Sequence, residues 1–464
     1  MIKNNFKNFK DCYCITLHSI ASYIIARTFK SITELALHHV QKPSKPFVLT
    51  SVIMLLFGSV LGALWMMTLY GVSLPAGLID IIRLHRSVQF DGFITMLIMG
   101  IGYMIVPRFR NIPLPSPKLA YISYVLMVGA VIIPILTSSS NTSNTSLWLS
   151  NSLIGAWIFC KVGAVTIFGG LIIAVLRTRP KLLGMADYYI ALSIILLAIL
   201  TISQIINHEY KSSTIQLWFM FPIVMIFGIE YKTLPAFVGF VRPRNRMAAS
   251  SVALLAASAG FGLVLLFYND SQIIETLFYS TFLMGVITFS FALNVFVGFD
   301  NKQILKLSMG EKKARYRYTL VHVKLSFMFL FLGITLSIIS LFFADLFSLY
   351  DMWIHITAIG FIGITIALYL PMMLPPIIGR TVRFSHFSKI PLFLVIISLC
   401  LRALGHFFIQ VFPHSNEIPY LYLAGLLGMS GWLVVLAILS FMFMVHRSMS
   451  VATAIVNEDG TSPL

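Results

Sequence analysis

Charge is scarce in this chain. Asp, Glu, Lys and Arg together make 11% of its 464 residues, less than half the roughly 25% of a soluble globular protein. That shortage, with 58% hydrophobic residues and a mean hydropathy of +0.90, excludes a water-exposed surface of ordinary size. Acidic residues are scarcer than basic ones, 16 against 33, for a formal net charge of +17. Cysteine is nearly absent: Cys12, Cys14, Cys160 and Cys400 are too few and too scattered for a disulfide framework. The Cys12-x-Cys14 pair is read as ordinary tail cysteines rather than a metal or redox motif. No Cys-x-x-Cys-His occurs, so covalent haem attachment is excluded, and no histidine stands between 209 and 321.

What is present is a series of apolar runs long enough to cross a bilayer. They fall at 47–70, 87–107, 119–137, 153–176, 187–206, 215–241, 248–268, 274–298, 318–344, 350–376, 390–412 and 418–445. The expected fold is an all-α integral membrane protein of twelve transmembrane helices. Basic residues gather on alternate connections: the N-terminal tail, Arg108/Arg110/Lys118, Arg177/Arg179/Lys181, Arg242/Arg244/Arg246, the 302–317 loop and Arg380/Arg383/Lys389. The opposite connections carry only Arg83, Arg86 and Lys211. This alternation is the positive-inside bias, so the excess charge faces lipid headgroups, and no nucleic-acid partner is expected. Residues 1–45 form a basic cytoplasmic tail, 46–446 the membrane domain and 447–464 a short cytoplasmic tail. The apolar run 13–25 is broken by His18 and leads to Arg27 and Lys30 without a small-residue cleavage site, so it is not read as a signal peptide.

The chain also repeats itself. Residues 100–109 read GIGYMIVPRF, residues 228–237 read GIEYKTLPAF, and Gly360-Phe361 stands as far before Pro375 as Gly92-Phe93 stands before Pro107. Prolines at 107, 235 and 375 mark three pseudo-equivalent units of four helices each. His85 lies 22 residues before Pro107 and His355 lies 20 before Pro375, while the middle unit has Ser213. At the rise of an α-helix the two histidines stand about 33 and about 30 Å above the prolines. They are nearly level on parallel helices near the outer edge of the apolar core, which is the placement an axial pair for one haem needs.

A charge inside hydrocarbon is costly enough that each one is a functional candidate. Arg402, with His406 one turn further out, faces the level of the histidines; its anionic partner is expected to be a haem propionate or Asp91. Asp91 and Lys161 fall within reach of each other on antiparallel helices, as an ion pair. Gly92 shares a face with His85 and Gln89 by helical spacing and makes room beside them. Near the inner side stand Glu230, Tyr231 and Lys232, with His322 and Lys324; Glu230 and His322 are the pair suited to passing protons.

Twelve helices in three units, with a histidine on the second and on the tenth, resemble subunit I of the haem-copper oxidase superfamily. The segments His85-Arg-Ser-Val-Gln89-Phe-Asp-Gly92-Phe93, His355-Ile-Thr-Ala-Ile-Gly360-Phe361, Leu234-Pro235-Ala236-Phe237 and Val321-His322 through Gly333 are more similar still to NnrS-like proteins, over roughly residues 46–445. The resemblance implies a non-covalent haem b on His85 and His355, with Arg402 and His406 beside it and His322 as a further metal ligand. It also implies a place in the inner membrane and a role in the response to nitric oxide, with nitric oxide and a respiratory redox partner as its contacts. In the oxidases one helix-6 and two helix-7 histidines hold copper, and here those helices have none. The chain also reads His85-Arg86-Ser87-Val88 where NnrS proteins commonly offer His-x-His-Glu. Copper stays a second candidate metal; for His406 a hydrogen bond in the surroundings of Arg402 is preferred over replacing His355 as ligand or holding that second metal. A divergent oxidase or nitric oxide reductase subunit, and a transporter with midplane charges, are the competing readings.

The basic loops predict a topology with both termini cytoplasmic. Reporter fusions after residues 145 and 310 are expected to signal from opposite sides; signals from the same side would remove the shared depth of His85 and His355 as well.

Overall fold

The computed structural model describes residues 43–459 apart from 69–80, 140–146, 179–182, 208–211, 239, 241, 268–270, 297–309, 344–346, 379, 381 and 412–418. Cys12, Cys14 and nearly all of the basic N-terminal tail lie outside the described residues. All regular structure among those residues is helical. Twelve helices are long and apolar enough to cross a membrane, and the protein is a multi-pass, all-α membrane protein. Helices are what such a sequence must form, because in hydrocarbon a backbone N–H or C=O finds no water and has to be satisfied within its own segment.

The helices are α1 Ser44–Thr68, α2 Ile81–Arg110, α3 Pro117–Ser139, α4 Leu147–Arg177, α5 Met185–Asn207, α6 Ser212–Thr233, α7 Asn245–Phe267, α8 Gln272–Leu293 and α9 Glu311–Ser340. After these come α10, built of Phe347–His355, Ile356–Gly363 and Ile364–Ile378, then α11 Ile390–Val411 and α12 Pro419–Asp459. Helix α6 continues through a π-helical turn, Leu234–Val238, where Pro235 removes a donor from the ladder. Chain neighbours pack side by side, and α12 returns to pack on α1. The most buried helices are α2, α6 and α10. Their apolar windows are 100%, 78% and 67% buried, against 56% or less for every other helix, so these three meet the least lipid. A stack of Phe227, Phe289 and Phe327, with Phe361 edge-on, fills the space between α6, α8, α9 and α10.

Helix α2 begins at Ile81, six residues before the expected start at 87. Arg83 and Arg86 lower the hydropathy of that turn without breaking its backbone, so His85 lies inside the helix rather than ahead of it.

Close helix crossings rest on small residues. A side chain added at Gly431 of α12 would stand 2.8 Å from the Cα of Ala63 in α1, whereas nothing lies within 4 Å of one added at Gly425. Gly431→Val is therefore expected to cost about 1–3 kcal/mol of stability and Gly425→Ala close to nothing, as read from unfolding of the detergent-solubilised protein. Equal unfolding midpoints for the two would show that the α1–α12 crossing is not tight.

Candidate functional site

Helices α2 and α10 share a backbone defect. Each carries an eight-residue π-helical segment, Val88–Thr95 in α2 and Ile356–Gly363 in α10, and the interval from Val88 to Pro107 equals that from Ile356 to Pro375. A π segment widens the helix and turns every following residue onto a different face. His85 and His355 stand just before the defect, three residues and one residue ahead of it. Such segments are uncommon and occur frequently at functional sites.

A cavity of about 230 Å³ lies between α1, α2 and α9 to α12, and His85, His355, Arg86, Gln89, Arg402 and His322 all reach its wall. The three histidines present themselves alike. His85 Nδ1 lies 2.7 Å from the Gly58 carbonyl, His355 Nδ1 2.8 Å from the Asp351 carbonyl, and His322 Nδ1 2.7 Å from the Tyr318 carbonyl. A carbonyl only accepts, so each Nδ1 must carry the proton, and each Nε2 keeps its lone pair. That tautomer, fixed by a bond at the far nitrogen, is the one a metal-binding histidine adopts. The room beside His85 comes from α1: a side chain at Gly62 would stand 2.6 Å from its Cε1.

Arg402 is anchored through two of its three nitrogens. Its Nε and Nη2 donate to Asp351 at 2.6 and 2.8 Å, its Nη2 also touches Met66 Sδ in α1 at 3.7 Å, and His406 Nε2 donates to the same carboxylate at 2.7 Å. Asp351 Oδ1 lies 3.2 Å from His355 Nδ1 as well. The carboxylate partner of Arg402 is thus Asp351 and not Asp91. Asp91 is committed elsewhere: both its oxygens accept from Lys161 Nζ, at 2.9 and 2.8 Å. Lys161 also donates to Gln204 of α5 and stands over the rings of Trp157 and Trp218. Asp91 is 0% and Lys161 1% exposed, which makes this the ion pair the sequence implied.

Other expectations fare differently. Gly92 does not open space beside His85: it faces Met54 and Val131, because the π segment begins at Val88 and carries Gly92 off the α-helical face. Glu230 is fully buried with both oxygens unbonded, and His322 is bonded to its own helix, so the two share no hydrogen bond. Lys232 lies 3.6 Å from Asp187, which also accepts from Arg110 at 3.3 Å. His406 is placed behind Asp351 rather than on the cavity wall. Among the described residues no three His, Cys, Asp or Glu side chains are arranged to hold a metal ion on their own. Asp351 is the residue the sequence reading missed. Its position four residues before His355 is a hydrogen-bonding interval on a helix, and a search for a partner to Arg402 leads to it. The π segments have no such signal.

Neither the protein-family models nor the curated proteins contain a match to this chain.

Breaking a buried pair leaves one charge uncompensated, at about 3–5 kcal/mol. Lys161→Met is expected to show that loss in detergent unfolding, and Lys161→Met combined with Asp91→Leu to recover most of it. A double variant no more stable than the single one would mean that Lys161 does more than neutralise Asp91.

Proposed function

We propose that the protein is a haem-binding membrane protein in which His85 and His355 hold a non-covalent haem b between α2 and α10. The observation that carries this reading is the symmetry of the two residues: imidazoles beside matching π segments, on the wall of one cavity, each with Nδ1 on a backbone carbonyl and Nε2 bare. His85 also lies within electrostatic reach of His355, Arg402 and Arg86. The residues fit the group, since the wall between the histidines is largely apolar and Gly62 leaves His85 its space. Haem bound there supplies a redox-active iron able to take a small diatomic ligand.

The chain's own residues make the two ligands unequal. His355 Nδ1 is shared between a carbonyl and the Asp351 carboxylate, which strengthens its donation to a metal. His85 Nδ1 meets only the Gly58 carbonyl, so His85 would be the weaker donor to a metal. Arg402 gives Nε and Nη2 to Asp351 and reaches the cavity wall, which leaves its Nη1 group for an acid group of the ligand. Arg86, on the cavity wall without a hydrogen bond or ion pair among the described residues, is a second cation for such a group. The resemblance to NnrS-like proteins, and the absence of histidine from α7, favour a nitric oxide response over gas reduction at a second metal.

The purified protein is expected to show a low-spin, bis-histidine spectrum, with its haem extracted by acidified acetone. His85→Ala should give a five-coordinate or ligand-exchanged haem that binds nitric oxide faster, and His355→Ala should lose haem outright. If both variants keep full haem and an unchanged low-spin spectrum, the assignment is wrong.

A further inference from the structure

At the opposite end of the bundle, where the basic loops lie, a second cavity of about 850 Å³ is set between α2, α6, α9 and α10. Part of its wall is apolar, with Met104, Ile105, Phe109, Met372 and Met373. The rest is cationic, with Arg108, Lys232, Lys312, Arg315 and Arg383. Glu311 is the acidic residue of the wall, and its carboxylate is occupied by the Phe384 N–H at 2.7 Å, the Ser385 N–H at 3.3 Å and the Ser385 hydroxyl. Lys232 is engaged with Asp187 and with the face of Phe109. The side chains of Arg108, Lys312 and Arg383 carry no hydrogen bond or ion pair among the described residues.

Arg383 is held in place by its backbone. Its N–H donates to Ser448 Oγ at 2.8 Å, and that hydroxyl donates back to the Arg383 carbonyl at 2.7 Å. The backbone of half-buried Arg383 is thereby fixed at the wall, and its guanidinium has five donors to offer. Basic residues on an ordinary inner loop are hydrated among headgroups. Arg108 and Lys312 are exposed and Arg383 half-buried, and all three line one cavity whose wall is partly apolar, so they face a single space between helices rather than open headgroups.

We propose that this cavity binds a phosphate-bearing anion through Arg108, Lys312 and Arg383. Guanidinium groups match phosphate oxygens in pairs, and basic pockets between membrane helices take anionic headgroups. The apolar wall beside them has room for the hydrocarbon part of an amphiphile. The proposal does not rest on haem binding, and it stands whatever the state of His85 and His355.

Native mass spectrometry of the whole protein in neutral detergent tests it, with dioleoyl phosphatidylglycerol, dioleoyl phosphatidylcholine and inorganic phosphate as probes. The expected result is retention of phosphatidylglycerol about tenfold over phosphatidylcholine. That preference should be lost in R108Q/K312Q/R383Q and kept in R108K/R383K. A second triple variant, R242Q/R244Q/R246Q, removes the same charge from a loop outside the cavity and should bind as the wild type does. Phosphatidylglycerol that inorganic phosphate leaves bound identifies a lipid headgroup as the source; displacement by inorganic phosphate identifies a soluble anion. Equal binding of the two lipids without phosphate binding, or equal losses in the two triple variants, would overturn the proposal.

Discussion

Two carboxylates, Asp91 and Asp351, decide how the inner helices sit. A carboxylate cannot remain charged and alone in hydrocarbon, so each forces a base on a neighbouring helix to one height and one rotation. Asp91 draws Lys161 from α4, and Gln204 of α5 comes with it. Asp351 draws Arg402 and His406 from α11, and Arg402 extends to Met66 of α1. Helix α2 is thus tied to α4 and α5, and α10 to α11. Apolar packing alone does not achieve this, because a lipid-facing leucine is as content as a buried one. The ion pairs are the directional contacts that set rotation, and rotation decides which side chains reach the cavity.

Given that clamp, the π segments follow a common plan. Both lie in the half of the helix nearer the histidine, both contain a Gly-Phe pair, and in both the glycine receives a side chain from the preceding helix. A Cβ on Gly92 would stand 3.1 Å from the Cβ of Met54 in α1, and one on Gly360 2.7 Å from the Cβ of Phe329 in α9. The preceding helix therefore leans in where the backbone widens, and fills the bulge. The phenylalanine that follows points into the bundle: Phe93 and Phe361 are both buried. A π segment weakens its own hydrogen-bond ladder. It persists here at two places in the same register because the surrounding contacts hold it.

The fold was legible in the sequence because a bilayer leaves a chain few choices: twelve apolar runs gave twelve helices, and their order gave neighbours. The Asp91–Lys161 pair was legible too, since two opposite charges at matching depth have nowhere else to go. Less legible was anything that depends on rotation about a helix axis. Gly92 was placed beside His85 by counting α-helical turns, and the count fails three residues past His85, where the π segment starts. The glycines that do adjoin His85, Gly58 and Gly62, belong to α1, and no spacing along α2 points to them. Arg402 was correctly seen to need an anion, but the choice between Asp91, a propionate and Asp351 turns on which face of α10 looks at α11. Depth alone does not determine that.

The charge balance around Asp351 bears on what the cavity can accept. Arg402 and Asp351 cancel as a buried ion pair, and His355 and His406 both hydrogen-bond to the same carboxylate. Arg86 lies on the same cavity wall and has no hydrogen bond or ion pair among the described residues. A neutral or cationic transport substrate would leave that cation unanswered, whereas the acid group of the proposed haem would meet it.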